Sequence, residues 1–153
     1  MLIRTATAAD ISALIDLERL CASASHWSER QYEQICQPGE GRHGDRLAVV
    51  AEDDQALSLL GFLIAHHLHP EWELENLVVA PDFRRKGLAT KLFAALLTRA
   101  RETNSESIFL EVRESNRAAR GLYVRLGFRQ SGRRKLYYAN PAEDAVLYRF
   151  ALI

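Results

Sequence analysis

The stretch PDFRRKGLAT, residues 81–90, sets Arg84, Arg85 and Lys86 directly against Gly87 and then begins a helical pattern. These are the ingredients of an anion site. The first N–H groups of a helix have no internal partners and lie at its positive dipole end. A glycine lets a ligand approach the backbone closely, and Ala89 keeps a following position small, so the turn suits a phosphate or pyrophosphate. The same ten residues also read as a solvated surface turn. Neither common nucleotide loop is present. Lys86 precedes Gly87, Asp82 stands where a Walker A loop has its first glycine, and no G-x-G-x-x-G occurs.

Two further residues have side chains suited to proton transfer. In SIFLEVRE, Ile108, Leu110 and Val112 fall on one face of a strand and Phe109, Glu111 and Arg113 on the other. Glu111 is then a carboxylate in an apolar strand, and its ordinary structural reading is a pair with Arg113 or another cation. Tyr123 follows Ala119 by four and precedes Leu126 by three, which places it on the apolar stripe of a helix, where a core tyrosine is the ordinary reading. Asn116 stands where that helix needs an N-cap. His66, His67 and His69 lack a nearby cysteine or carboxylate to complete a metal set, so no metal is expected.

The elements that must position these residues are readable from periodicity. LIRTA is a short first strand, and Thr7 with Asp10 forms a capping box for a helix carrying Ile11, Leu14, Ile15 and Leu17. Ser28 and Gln31 open a second helix in the same way. RLAVVAE and LSLLGFLIAHHL are apolar runs separated by the turn-like DDQ, a hairpin signal. WELENLVVA is a strand stopped by Pro81. A helical stripe of Leu88, Leu92, Phe93, Leu96 and Ala100 follows. SIFLEVRE returns to strand, NRAARGLYVRLGF is a helix closing at Gly127, and RKLYYA and DAVLYRFAL are late strands. The predicted order is βααβββαβαββ. This is a mixed α/β (α+β) chain with antiparallel strands first and a β-α-β crossover in the middle. The loop QPGEGRHGD, residues 37–45, lies inside the domain, because neither side is large enough for its own core.

Composition limits the partners. With 20 Lys+Arg against 20 Asp+Glu in 153 residues, no global field recruits nucleic acid or an anionic membrane. No window approaches 18 apolar residues, and MLIRTATAAD lacks the apolar core of a secretory signal. Cys21 and Cys36 have neither metal nor C-x-x-C spacing; a lone disulfide is open to them, and two reduced cytosolic thiols are the expectation. The basic group SGRRKLYY reads as a solvated hairpin. A single cytoplasmic domain spanning 1–153 is expected.

The motifs in order resemble a known family. RRKGLA is similar to the Arg/Gln-x-x-Gly-x-Gly/Ala signature of the GNAT N-acetyltransferases. WSERQY, ENLVVAPDFRRKGLATKL, LEVRESNRAARGLYVRLGF and RRKLYYANPAEDAVLYRFAL together resemble the RimI-like, ribosomal-protein-alanine branch of that family. His26 stands where the branch has proline before Trp27, and Ala89 where it commonly has glycine. Gly121 sits inside a helix, where it costs up to about 1 kcal/mol relative to alanine.

The resemblance implies a GNAT fold with a central, mostly antiparallel twisted sheet flanked by helices. It implies acetyl-CoA as co-substrate and no metal. Arg84, Arg85, Lys86, Gly87, Leu88, Ala89 and Thr90 would hold the pyrophosphate, the amides of Arg85 to Thr90 binding it and the cations adding charge. Leu77, Val78 and Val79 would bind the pantetheine and acetyl groups through their backbone, and Asn116 would also touch the cofactor. Glu111 would be the general base and Tyr123 the acid that protonates the departing sulfur. The implied acceptor is a protein N-terminus, foremost the alanine of a small-subunit ribosomal protein, with no direct nucleic-acid or membrane partner. Another N-terminus, a lysine, a small amine, or a non-catalytic acetyl-CoA-binding module are the alternatives.

Overall fold

The computed structural model describes residues 1–21, 27–36 and 45–153. His26, Pro38 and the glycine-rich stretch 37–44 lie outside the described residues. Four strands, β1 (Leu2–Thr5), β2 (Arg46–Glu52), β3 (Leu59–Leu68) and β4 (Glu71–Val79), form an antiparallel meander. Alternation gives it two apolar faces, with Leu47, Val49 and Ala51 packed on one side and Ala48 and Val50 on the other. Helices α1 (Ile11–Arg19) and α2 (Glu29–Cys36) cover the second face with Ile11, Leu14, Leu17 and Tyr32.

Both predicted capping boxes form. The Thr7 N–H donates to the Asp10 carboxylate at 2.7 Å, at the head of a short 3-10 turn that runs into α1. Two Arg4 nitrogens reach the same carboxylate, both at 2.8 Å, and hold it below the usual carboxylate range. Ser28 and Gln31 exchange bonds of 2.8 and 3.2 Å before α2.

After β4 the chain crosses through α3 (Leu88–Glu102) to β5 (Ser107–Arg113), then α4 (Arg117–Leu126), β6 (Arg129–Tyr138) and β7 (Glu143–Ala151). The element order is the expected βααβββαβαββ, and the seven strands run β1-β2-β3-β4-β5-β7-β6 across one sheet. Among the described strands only β4 and β5 pair in parallel. The predicted stripe of α3 is buried throughout, packed over β2, β3 and β4 in one core with Ile108, Leu110 and Val112 of β5. Each large side chain of that stripe contributes roughly 1.5–3 kcal/mol by leaving water.

The structure adds two features that the sequence reading lacked. Strand β6 begins at Arg129 rather than Arg134, because Arg129 already pairs with Arg149 of β7. Strand β4 is bulged. Leu74 lies opposite Ala65 and Asn76 opposite Ile64, which leaves Glu75 as the extra residue. Before the bulge Trp72 and Leu74 face α3; after it Asn76 and Val78 turn to the α1/α2 side. Gly61 makes room for this strand, since a Cβ there would sit 2.6 Å from the Val78 carbonyl oxygen.

The parallel seam is short. It joins Glu71 to Ser107, Trp72 to Ile108 and Glu73 to Phe109, and beyond these pairs β4 and β5 separate. The resulting fork opens in the middle of the sheet. Among the described residues no helix is long and apolar enough to cross a membrane, and Cys21 and Cys36 are free and buried.

Candidate active site

At the open end of the fork the loop 81–87 leads into α3. Arg85 and Gly87 both take left-handed backbone, with φ of 61° and 78°, and Gly87 is the N-cap of the helix. A Cβ on Gly87 would meet no protein atom within 4 Å, so the space above the turn is open. The N–H groups of the first helical turn point into that space. The three cations differ in their commitments. Arg84 folds back, donating from Nε to the Val79 carbonyl at 3.3 Å and placing a second nitrogen 3.0 Å from Cys21 Sγ. Lys86 lies over the Phe83 ring at 5.3 Å, and Arg85 is exposed.

The backbone of β4 borders the fork. The Ala80 N–H donates to the Leu60 carbonyl at 2.8 Å, so the strand's alternation turns the Val78 amide towards β3 and those of Leu77 and Val79 into the fork. Val78 therefore does not belong to the row that Leu77 and Val79 form, and its side chain is buried on the α1/α2 side. The Leu88 side chain is likewise core, leaving its amide for the loop.

Glu111 and Tyr123 lie on opposite faces of the sheet, Glu111 on β5 just past the parting of the strands and Tyr123 on α4 with the α3-side core. Glu111 shares its face with Phe109 and Arg113, as the alternation predicts, and is 15% exposed. Its cation is Arg134 of β6, at 3.2 Å. Arg113 goes elsewhere, to Glu143 at 3.1 Å and to the carbonyls of Ala139 and Pro141. Glu73 faces the same region from β4, its carboxyl pushed up by burial and by the charges of Glu75 and Glu111. Tyr123 sits on α4 beneath the other face, with ring centroids 5.8 Å from Phe128 and 6.3 Å from Tyr148. Burial, with the neighbouring Tyr138, pushes its phenol up to about 12. It holds its proton throughout the neutral range.

Residues 11–128 match the acetyltransferase (GNAT) family. The chain belongs to that family. The [ribosomal protein bS18]-alanine N-acetyltransferase of Salmonella typhimurium is 34% identical over 143 residues, covering 90% of this chain and 88% of the relative. The enzyme of the same name from Escherichia coli is 31% identical over 140 residues, covering 90% and 88%. A crystal structure titled as the Escherichia coli ribosomal-protein-S18-alanine N-acetyltransferase superposes with a TM-score of 0.79 at 28% identity, over 99% of this chain and 93% of that one.

In this GNAT acetyltransferase the residues that the motifs single out fall on the loop before α3, the end of β4, β5 and α4. The loop from Arg85 to Thr90 stands at the open end of the fork, the Leu77 and Val79 amides and Glu111 lie on its two strands, and Tyr123 lies on α4 against Phe128 and Tyr148. Asn116 caps α4, its side-chain oxygen accepting the Ala119 N–H at 3.1 Å. Gly121 lies on α4 with an Arg125 nitrogen 3.2 Å from its would-be Cβ, and nothing in the structure explains it further. Sequence reasoning missed Glu73 and Arg134. The alternation of WELEN could have paired Glu73 with the face of Glu111, whereas no local pattern points Arg134 at that carboxylate. Among the described residues no group of three His, Cys, Asp or Glu is arranged to hold a metal, and His67 stacks on Trp72 at 4.7 Å.

Proposed function

We propose that this GNAT enzyme transfers the acetyl group of acetyl-CoA to the N-terminal α-amine of a protein, foremost the alanine of a small-subunit ribosomal protein. The carrying observation is the parting of β4 and β5 beyond Glu73 and Phe109, with the Leu77 and Val79 amides along one side of the gap and Glu111 on the strand that forms the other. The names of the Salmonella and Escherichia coli relatives support the acceptor, and the family supports acetyl-CoA.

An α-amine has a pKa near 7.7–8.0 and is mostly protonated at neutral pH. Glu111 takes its proton, and the freed lone pair attacks the thioester carbonyl carbon. An amide of Leu77 or Val79 stabilises the oxyanion that forms there. The carbon–sulfur bond then breaks, Tyr123 gives its proton to the departing sulfur, and the second proton of the attacking nitrogen, passed on through solvent, restores the phenol. The amides of Arg85 to Thr90 hold the pyrophosphate, with the charge of Arg85 and Lys86 beside them. Arg84 fixes the loop to the end of β4, and Asn116 adds a contact from the start of α4.

Gly87→Glu tests the phosphate assignment. The new side chain would project into the open space above the turn with an anionic charge and a strained φ. Calorimetry should show acetyl-CoA affinity falling at least tenfold, about 1.4 kcal/mol. Far-UV circular dichroism should stay unchanged, because no protein atom is displaced. Undiminished affinity would put the phosphates elsewhere.

The acceptor is tested with labelled acetyl-CoA and a panel of Ala-starting ribosomal peptides, N-acetylated controls, lysine peptides and polyamines. Label is expected on the free α-amine of the Ala-starting peptides. Label on lysine or polyamine alone would reassign the acceptor, and acetyl-CoA binding without transfer would make the protein a binding module.

A further inference from the structure

The ion pair between Glu111 and Arg134 is unlike the others near the fork. Arg46 grips Glu75 with two nitrogens, at 2.9 and 3.3 Å. Arg113 is fixed by Glu143 and two backbone carbonyls, and Glu143 also accepts from the Ser115 N–H and hydroxyl. Arg134 by contrast reaches Glu111 through one nitrogen at 3.2 Å, and its side chain is 55% exposed against 15% for the carboxylate. The anion is held in the sheet while the cation hangs from an outer strand.

The strands explain this geometry. Arg134 pairs in register with Ala145, which pairs on its other side with Arg113. The Arg134 side chain thus crosses a methyl group to reach the neighbouring strand but one. Directly after it β6 bulges, with Leu136 left-handed at φ 50° and its N–H held by Asp144 at 2.9 Å. The Tyr137 ring lies 5.3 Å from the guanidinium and offers it a second resting place. A half-exposed, one-point pair contributes little and is readily exchanged. A mostly buried carboxylate left without any cation is disfavoured. The other charged or titratable groups around Glu111 are Glu73 from β4, Tyr138 from β6 and Arg113 on its own strand, with Glu75 and Arg46 behind Glu73. None of these supplies a free cation: Arg46 and Arg113 are already engaged.

We propose that Arg134 is a displaceable cation that holds the place of the acceptor's ammonium at Glu111. It selects acceptors by their ability to take that place. This rests on the reading of Glu111 as the base. The incoming ammonium takes the position at Glu111, the guanidinium swings to the Tyr137 ring or to solvent, and Glu111 then accepts the ammonium's proton. A peptide, with contacts beyond its first residue, can hold the arginine off. A small amine lacks those contacts and competes poorly.

The test compares wild type with Arg134→Gln and Arg134→Lys on an Ala-starting peptide and on alaninamide. For Arg134→Gln we expect the peptide KM to fall about fivefold with kcat within about twofold, because a competitor for the amine's position has been removed. Alaninamide should gain more than the peptide does. The Lys variant, which can still place a cation at Glu111, should return towards wild type. A peptide KM that is unchanged or raised would overturn the proposal. An arm independent of acetyl transfer couples labelled glycinamide to carboxyl groups with a carbodiimide and maps Glu111 by mass spectrometry. Labelling of Glu111 should rise at least about threefold in Arg134→Gln, since the competing cation is gone. Unchanged labelling would overturn the proposal too. If wild type acetylates no amine at all, the acetyl-transfer reading fails, and the labelling result alone decides the role of Arg134.

Discussion

Replacing Glu111 by glutamine is expected to lower turnover at neutral pH by about 10²-fold or more, with acetyl-CoA affinity close to wild type. Glutamine keeps the shape of the side chain and removes its ability to take a proton. The partner it leaves, Arg134, is more than half exposed and can turn to solvent, so the fold has no new buried charge to accommodate. The pH dependence carries the diagnosis. Below a pKa of about 7.7–8.0 the α-amine arrives protonated and the variant has nothing to deprotonate it. Above that range the amine deprotonates itself, so the ratio of wild-type to variant kcat/KM should narrow as pH rises from neutral to alkaline. A ratio near one at neutral pH would return Glu111 to a structural ion pair.

Tyr123→Phe should cut kcat by about 10²-fold, because the departing sulfur loses its proton donor. The ring contacts with Phe128 and Tyr148 do not involve the hydroxyl and survive in phenylalanine. Melting temperature should therefore barely move, with about 1 kcal/mol at most from one hydroxyl. The phenol is raised to about 12, above the ordinary tyrosine value, chiefly by burial. It stays protonated up to strongly alkaline pH, so the wild-type profile should show no loss of this acid between neutral pH and pH of about 10. The measurement is kcat on an Ala-starting peptide alongside a thermal melt of the same preparation. A stably folded Phe variant with full turnover would leave Tyr123 as core alone.

Local signals in this sequence were those that one element can carry by itself. The capping boxes at Thr7/Asp10 and Ser28/Gln31 need only four residues each, and both form. The stripe of α3 and the alternation of SIFLEVR depend on the period of one helix and one strand, and they too were legible. The partner of Glu111 was not. Arg113 is two residues away on the same face, but Glu143 captures it, and Arg134 arrives only through the register of β6 on β7 and β7 on β5. The bulge at Glu75 was hidden for a similar reason. WELENLVV contains neither glycine nor proline, and the irregularity comes from β4 meeting β3 across Ile64 and Ala65. Strand β6 extends through Ser131 and Gly132, where the pairing of Gln130 with Tyr148 and of Gly132 with Leu147 carries the strand past a bulge at Ser131. The RRKG turn was readable as an anion site in principle, whereas its ligand came from family resemblance.

The fork has a further consequence for how this protein handles its own backbone. An ordinary open sheet has two edges; this one, parted beyond Glu73 and Phe109, has two more in its interior. Along them, ladder groups of Leu77 and Val79 stand without a neighbouring strand, as on any exposed edge that another chain can extend. Here the opposite side of the gap is β5, from Leu110 onward. An extended molecule with its own amide groups is the kind of partner that such an edge pairs with. Recognition of that kind reads main chain rather than side chain. Positions 77 and 79 are then free to vary among apolar residues, provided that the ladder between β3 and β4 keeps their amides turned inward.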